Sequence, residues 1–249
     1  MRLDVEVYRR GIAESRSRAR ALIEAGSISV NGVVVTKPAF ECGENDRIEL
    51  VGAPIEYVSR GGYKLAAALD EFSLGDTESP GIDVAGMVAA DIGASTGGFT
   101  DCLLKRGAKK VYAIDSGRGQ LAERLRSDVR VVSLEGVNAR NLTLDMLGER
   151  CDIVVMDVSF ISQTKLHGTA ASLLSAGGIF ISLIKPQFEA GRENIGKGGI
   201  VKDERARELA VDTVVRSAES SGFTCRGIIQ SPITGGDGNV EYLACFILR

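Results

Sequence analysis

The chain has 249 residues, a formal net charge of −3, 44% hydrophobic residues and 25% charged residues. This composition is ordinary for a folded globular protein and excludes the disordered and fibrous classes. No apolar run approaches the ~20 residues that span a bilayer, and the N-terminal MRLDVEVYRR carries charges where a secretory signal needs an apolar core. We therefore expect a cytoplasmic protein without a membrane partner, of one large domain or of a small and a medium one. Its oligomeric state stays open.

The cysteines and the single histidine indicate which disulfide, histidine-base and metal sites the chain can form. Five cysteines stand alone, with neither a CxxC pair nor a disulfide-like spacing, and we expect them to be reduced and buried. They are Cys42, Cys102, Cys151, Cys225 and Cys245. His167 has no second histidine beside it, so the sequence predicts neither a histidine base nor a metal site.

Residues 1–52 predict a small α+β domain that begins with two helices. The helices are expected at Leu3–Gly11 and Ser15–Ala25. Ser15 is a suitable N-cap, and Gly26 stands where a helix C-terminus commonly ends.

A β-hairpin is expected directly after these helices. Asn31-Gly32 lies between two runs of β-branched residues, which is the pattern of a type I′ turn. Asp46–Val51 supplies a further short strand. We expect residues 53–59 to form a linker and residues 60–249 to form the second domain.

Basic residues are concentrated at the N-terminus. Residues 1–37 contain seven basic and four acidic residues, a net charge of +3, and Arg16 and Arg20 share one helix face. Such a face can bind RNA phosphates or simply face solvent, and charge alone leaves both open. The candidate RNA contacts here are Arg2, Arg16, Arg18 and Arg20. The segment RLDVEVYRRGIAESRSRARALIEAGSISVNG resembles the RNA-binding domain first seen in small-subunit ribosomal protein S-four, which implies an RNA partner.

The second domain repeats an apolar strand, a turn and a helix. Its opening helix, SRGGYKLAAALDEF, places Leu65, Leu69 and Phe72 on one face. The runs MVAADIG, KKVYAIDSG, VRVVSL, CDIVVMDVS and GGIFISLIK are typical of buried parallel strands and predict a Rossmann-like doubly wound α/β sheet. Phe223–Ser231 and Glu241–Leu248, joined by TGGDGN, predict a C-terminal antiparallel hairpin, an addition that is common in methyltransferases.

The segment VAADIGASTGGFTD predicts a nucleotide-type cofactor turn at the end of the first strand of this sheet. Gly93, Gly97 and Gly98 allow a sharp turn and a close approach to a ligand, and Ser95 lies between them. A dinucleotide site would read GxGxxG, whereas here Asp91 precedes the first glycine. S-adenosyl-L-methionine has no phosphate and needs carboxylates and backbone groups near its amino-acid moiety, which favours this cofactor.

Two further residues are candidate cofactor contacts. Asp115 ends the second strand, where its carboxylate can accept hydrogen bonds from ribose hydroxyls. Asn138 follows the third strand, where the adenine is expected.

Charged residues follow the other strands at the same edge of the sheet. Asp157 ends the fourth strand, and Lys185 ends the fifth just before a proline, where its charge needs a partner. Asp157 is the expected partner. Glu241 begins the last strand and Lys64 lies on the opening helix. Each of these residues could also belong to a purely structural ion pair.

Five segments carry a resemblance together with the N-terminal RNA-binding pattern: SRGGYKL, DIGASTGGFTD, MDVSFIS, IKPQFEAGRENIGKGGIV and GNVEYL. Through them nearly the whole chain resembles the TlyA family of ribosomal RNA 2′-O-methyltransferases, some members of which are called hemolysins, and more distantly the FtsJ or RrmJ-like enzymes. It implies a catalytic tetrad of Lys64, Asp157, Lys185 and Glu241. It also implies a cytidine acceptor in ribosomal RNA. Because little sequence precedes the first helix, we expect the large subunit to be the substrate.

The tetrad suits an unactivated hydroxyl. A ribose 2′-OH needs a base beside it and in-line placement against an activated methyl group. We expect Lys185 to be that base, with burial and Lys64 favouring its neutral form, although the sequence leaves open which lysine takes the proton. Asp157 and Glu241 would orient the lysines and hold the hydroxyl.

The long loop Phe188–Lys202 combines four glycines with three cations. Flexible backbone and positive charge at the rim of a site favour an RNA-gripping lid that includes Arg192 and Lys197, against the alternative of an ordinary surface loop.

Other classes of function are less well supported. A nucleotide-dependent oxidoreductase would need GxGxxG, and a lytic protein would need an amphipathic membrane hairpin or a secretion signal. A non-catalytic RNA-binding assembly factor would not need the complete tetrad.

Overall fold

The computed structural model describes residues 1–13, 15–24, 26–51, 57–72, 81–235 and 238–249. Residues 53–56 of the expected linker, Ala25 at the expected helix end and residues 236–237 of the hairpin connection lie outside the described residues. The chain forms two compact units, Met1–Arg60 and Gly61–Arg249. Among the described residues, no helix is long and apolar enough to cross a membrane.

The N-terminal unit contains two helices and a three-stranded antiparallel sheet. Its elements in chain order are α1 (Leu3–Arg9), α2 (Arg16–Glu24), β1 (Ile28–Val30), β2 (Val33–Val34) and β3 (Ile48–Leu50). β1 lies between β2 and β3. The core under the sheet is aliphatic and contains Leu3, Val7, Ile23, Ile28 and Ile48.

Local sequence signals explain where these elements begin and turn. The Ser15 hydroxyl accepts a hydrogen bond from the Arg18 amide at 3.1 Å, as an N-cap does. Gly26 has a φ of +71°, a backbone conformation that glycine adopts without strain. Asn31 and Gly32 have φ values of 53° and 80°, which makes this turn type I′. The predicted N-cap and hairpin turn are confirmed.

The second unit is built on a seven-stranded sheet. The remaining elements are α3 (Gly61–Glu71), β4 (Val88–Ile92), α4 (Gly98–Lys105), β5 (Lys110–Asp115), α5 (Glu123–Arg126), β6 (Val131–Glu135), α6 (Leu144–Leu147), β7 (Cys151–Met156), α7 (His167–Leu173), β8 (Leu174–Ile184), α8 (Pro186–Glu189), α9 (Glu204–Ser220), β9 (Phe223–Gln230) and β10 (Tyr242–Leu248). Short 3₁₀ turns occupy Ala139–Asn141, Gln163–Lys165 and Arg192–Asn194.

The strand order is β6-β5-β4-β7-β8-β10-β9. The first five strands in this order run parallel, whereas β10 pairs antiparallel with both β8 and β9. The predicted doubly wound sheet with a C-terminal antiparallel hairpin is confirmed. The strand order brings the carboxyl ends of β4, β7 and β8 next to one another at one edge.

An aromatic cluster fills the core on one face of this sheet. Phe180, Phe223 and Phe246 have ring centroids 5.1 to 6.2 Å apart. The edge of His167 meets Phe180, and His167 Nδ1 is 3.0 Å from the Ser217 hydroxyl. Burial lowers the pKa of His167 to about 4. This histidine therefore belongs to the core as a neutral ring.

His167 makes folding sensitive to acid. Because its folded-state pKa is depressed, its contribution to stability is complete above pH 6.5 and is lost as the pH falls toward about 4. In His167→Gln, the drop in unfolding free energy between pH 7 and pH 5 should shrink by roughly 2 kcal/mol relative to the wild type. Urea unfolding at the two pH values measures this difference. An equal drop in both proteins would contradict the assignment.

Candidate active site

The glycine turn after β4 is shaped by a close approach to the end of β7. Gly93 has a φ of +89°, and a Cβ added there would collide with the backbone carbonyl oxygen of Asp157. Gly97 has a φ of +93°, and a Cβ there would collide with side chains of Leu121 and Leu125. Gly93 thus requires glycine for two reasons, backbone conformation and space, whereas at Gly97 the leucine side chains can shift and the backbone conformation is the reason. Gly98 begins α4.

Asp91 has a more structural position than the sequence suggests. It is fully buried, and its Oδ2 accepts hydrogen bonds from the Thr100 amide at 2.9 Å and the Thr100 hydroxyl at 2.6 Å. These bonds fix the first turn of α4. Its Oδ1 is buried without a hydrogen-bond partner among the described residues. Burial raises the pKa of Asp91 to about 7, with smaller contributions from Asp157 and Asp115.

The unpartnered oxygen fits a cationic ligand. A buried carboxylate oxygen without a donor is costly, and a positively charged group beside it would favour the ionised form. S-adenosylmethionine carries both an ammonium and a sulfonium. The residues of the turn therefore fit this cofactor.

Asp115 and Asn138 are brought to the same edge of the sheet. The Asp115 carboxylate accepts hydrogen bonds from the Ser95 amide at 2.8 Å and the Gly117 amide at 2.6 Å. The Val137 amide donates to the Asp115 carbonyl at 3.0 Å, which places Asn138 nearby. The exposed Asn138 caps a 3₁₀ turn through a 3.0 Å hydrogen bond from the Arg140 amide.

The four charged residues of the expected tetrad form two ion pairs. Lys185 Nζ lies 2.5 Å from Asp157 Oδ1 and donates a hydrogen bond to the Ser159 hydroxyl at 2.8 Å. Lys64 Nζ contacts Glu241 Oε2, and both of these residues are buried. Lys185 follows β8, Asp157 follows β7, and Glu241 precedes β10, so the strand order of the sheet brings them together.

One cavity connects the two ion pairs. Its volume is about 350 Å³ and its lining includes Lys185 and Glu241, one residue from each pair. The other lining residues are Ser159, Phe160, Gln187, Phe188, Ile195 and Gly199. The cavity thus combines a basic group, a carboxylate and aromatic rings. The glycine turn is connected to it through Asp157, whose backbone meets Gly93 and whose carboxylate contacts Lys185.

Ser159 and Phe160 are site residues that the sequence did not reveal. Phe160 is 93% exposed, has a φ of +63°, and its ring centroid lies 5.4 Å from that of Phe188. Left-handed backbone at a bulky residue is strained and is often found at functional sites. In the sequence, Phe160 continues an apolar run and looks like a core residue.

The expected RNA-binding arginines are partly held within their own unit. Arg2 and Arg16 pair with Asp4 at 2.9 and 3.2 Å, and Arg20 pairs with Glu24 at 2.7 Å. Arg18 donates to the Tyr57 carbonyl at 2.9 Å. The side chains of Arg16 and Arg20 nevertheless remain 58% and 66% exposed. The Arg20–Glu24 pair lies on the surface and is weak, whereas Asp4 is buried and has Arg2 and Arg16 as its counter-charges.

The expected lid is partly anchored. Arg192 and Lys197 are exposed, but Asn239 is buried and holds the end of the loop. Its side chain accepts a hydrogen bond from the Val201 amide and donates one to the Gly199 carbonyl, both at 3.0 Å. The last part of the loop is therefore fixed to the segment that precedes Glu241.

Comparisons with known proteins show the family of each part of the chain. Residues 57–248 match the FtsJ-like methyltransferase family, and residues 1–48 match the S4 domain. The chain is 47% identical to hemolysin A of Brachyspira hyodysenteriae over the full length of both. It is 43% identical to the 16S/23S rRNA (cytidine-2′-O)-methyltransferase TlyA of Mycobacterium tuberculosis, with 97% of this chain and 87% of that protein covered.

A solved structure shows the same fold. The structure of a Streptococcus thermophilus protein named as a hemolysin matches with a TM-score of 0.77 and 41% identity, and covers 100% of this chain and 88% of that one. The fold and the family match thus define a methyltransferase, with S-adenosylmethionine as the cofactor that the glycine turn predicts. The chain belongs to the FtsJ-like methyltransferase family and carries an S4 domain at its N-terminus.

The close approach at Gly93 predicts a specific loss of cofactor binding. In Gly93→Ala the new methyl group must displace the Asp157 carbonyl, so S-adenosylmethionine affinity should fall by roughly ten-fold or more. Gly86→Ala is a matched control, because Gly86 also has a positive φ, +77°, but has open space around its Cα. Calorimetric titration of both variants, with circular dichroism to verify folding, tests this. Equal affinities would show that the close approach is not needed.

Proposed function

We propose that this chain transfers the methyl group of S-adenosylmethionine to the 2′-hydroxyl of a cytidine in ribosomal RNA. The observation that carries the proposal is the position of Lys185 Nζ, held between Asp157 Oδ1 and Ser159 Oγ in a cavity shared with Glu241. Hydroxyl chemistry needs such a base and an acceptor beside it. The TlyA relative named above, an rRNA (cytidine-2′-O)-methyltransferase, supports the substrate class.

The four charged residues have distinct roles in this proposal. When bound, S-adenosylmethionine supplies an activated methyl group. Lys185, in its neutral form, accepts the proton of the ribose hydroxyl, and Asp157 and Ser159 hold its Nζ in place. Glu241 accepts a hydrogen bond from the hydroxyl before transfer, and Lys64 balances its buried charge.

Residues at the carboxyl ends of β4, β5 and β6 would hold the cofactor. Asp91 would balance its cationic part, and Gly93, Ser95, Gly97 and Gly98 would shape the turn beside it. Asp115 would accept hydrogen bonds from the ribose hydroxyls, and Asn138 would contact the adenine. This assignment follows the strand-end position of cofactor sites in doubly wound sheets.

Each unit contributes basic residues that contact RNA phosphates. In the N-terminal unit these are Arg2, Arg16, Arg18 and Arg20, and beside the cavity they are Arg192 and Lys197. The exposed ring of Phe160 offers a stacking surface to a base near the acceptor nucleotide. Because ribosomal subunits are the substrate, the protein acts in the cytoplasm.

The role of Lys185 as a base can be separated from its charge. Lys185→Ala should lower the methylation rate by ~10²-fold or more, with cofactor affinity retained. Lys185→Arg should fail equally, because a guanidinium is not deprotonated near neutral pH. Tritium transfer to ribosomal subunits measures both rates. Turnover near the wild-type rate in the arginine variant would mean that only a positive charge is needed.

A modified substrate tests the acceptor atom. An RNA with a single 2′-deoxy sugar at the modified position should bind about as well as the normal RNA and receive no methyl group, because the site holds a hydroxyl and not a base atom. Filter binding and mass spectrometry of the product measure the two outcomes. Methylation of the deoxy RNA at the normal rate would place the acceptor on the base and refute the proposal.

A further inference from the structure

A second connection, one helical turn from Lys185, joins the segments that carry the reactive groups. Glu189 is the last residue of α8, which begins directly after Lys185. Its carboxylate accepts hydrogen bonds from the Ser162 hydroxyl at 2.6 Å and from the Gln163 amide at 2.9 Å. Both donors belong to the segment after β7, which also contains Asp157 and Ser159.

Gln163 extends this connection into the sheet. It is 1% exposed, and its side-chain amide donates to the Leu183 carbonyl at 3.2 Å and accepts from the Ser182 hydroxyl. The segment after β7 is therefore connected to β8 and α8 by three sets of contacts. These are the contacts of Lys185 with Asp157 and Ser159, the hydrogen bonds of the Gln163 side chain, and the hydrogen bonds of the Glu189 carboxylate.

The connection is more than a cap for the short 3₁₀ turn Gln163–Lys165. The side chain of Ser162 already caps that turn by accepting a hydrogen bond from the Thr164 amide at 3.3 Å. Glu189 is partly buried, and burial raises the pKa of its carboxyl although the Ser162 and Gln163 donors and Lys165 oppose this. Its two hydrogen bonds therefore connect α8 with the segment after β7 in addition to the cap that Ser162 provides.

We propose that Glu189 is a positioning residue for methyl transfer, which acts through Ser162 and Gln163 to hold Asp157 and Ser159 at Lys185. This inference rests on the function proposed above. The Lys185 Nζ contacts at 2.5 and 2.8 Å join two segments whose strands β7 and β8 are last paired at Met156 and Ser182. Without the Glu189 carboxylate, the segment after β7 would have one connection fewer beside that of Gln163, so the partners of Lys185 could shift, and such displacements are costly in catalysis.

The test compares Glu189→Gln with Glu193→Gln in the full-length protein. Glu193 is exposed in the same loop, so its variant makes the same change of charge without the connection. Glu189→Gln should lower the single-turnover methylation rate at saturating ribosomal subunits and cofactor by roughly 10- to 100-fold. Affinity for S-adenosylmethionine and for subunits should change by no more than about two-fold. Glu193→Gln should retain the wild-type rate.

Ser162→Ala supplies an independent arm. It should lower the rate as well, and the Ser162→Ala/Glu189→Gln double variant should be no slower than Glu189→Gln alone, because both changes break one connection. A purely structural role would lower the melting temperature and leave the rate at 25 °C unchanged in folded protein. That result, or fully multiplicative rate losses, would overturn the inference. Wild-type protein that methylates no ribosomal RNA would instead refute the proposed function.

Discussion

The architecture of the active site depends on the close approach of two backbones, at Gly93 and Asp157. β4 and β7 are neighbouring parallel strands in the middle of the sheet, so their carboxyl ends emerge side by side. The space between them excludes a side chain at Gly93. One strand end then turns to form the cofactor loop, and the other supplies the carboxylate that holds Lys185. Backbone packing therefore sets the cofactor turn next to the residue that holds Lys185.

Burial of the charged residues is tolerated because each forms an ion pair with a residue of opposite charge. Lys64 and Glu241 are nearly inaccessible to water, and either of them alone would carry a large desolvation cost. Because they are paired, the Glu241 carboxylate can line the cavity while Lys64 balances its charge. The Lys185–Asp157 pair is more exposed and has a hydroxyl beside it. The difference suits the proposed roles, since a group that exchanges protons needs access to solvent.

Much of the fold could be predicted from sequence because its signals are local. The Asn31-Gly32 turn, the Ser15 cap and the apolar strands follow from backbone preference and hydrophobic burial within a few residues. The doubly wound sheet then places strand ends at one edge, which is why charged residues at those ends could be selected as candidates.

The details that could not be predicted depend on contacts between distant segments. Nothing local distinguishes the exposed Phe160 from a core phenylalanine, or indicates that Glu189 meets Ser162 and Gln163. Likewise, the pairing of Arg2 and Arg16 with Asp4 is invisible in a count of charges. These contacts depend on how distant segments pack, and that packing is defined only when the whole unit has folded.

The position of Lys64 determines where the chain can be cut without loss of the Lys64–Glu241 ion pair. The nucleotide-binding sheet begins at β4, Val88–Ile92, yet Lys64 lies on α3, ahead of every strand of that sheet. A fragment cut at the first strand would keep the glycine turn, Asp157 and Lys185 but leave Glu241 as a buried charge without its counterion. Recombination at the edge of the sheet would therefore keep the glycine turn but break the buried Lys64–Glu241 pair. α3 and the sheet form one structural module, because this ion pair joins them.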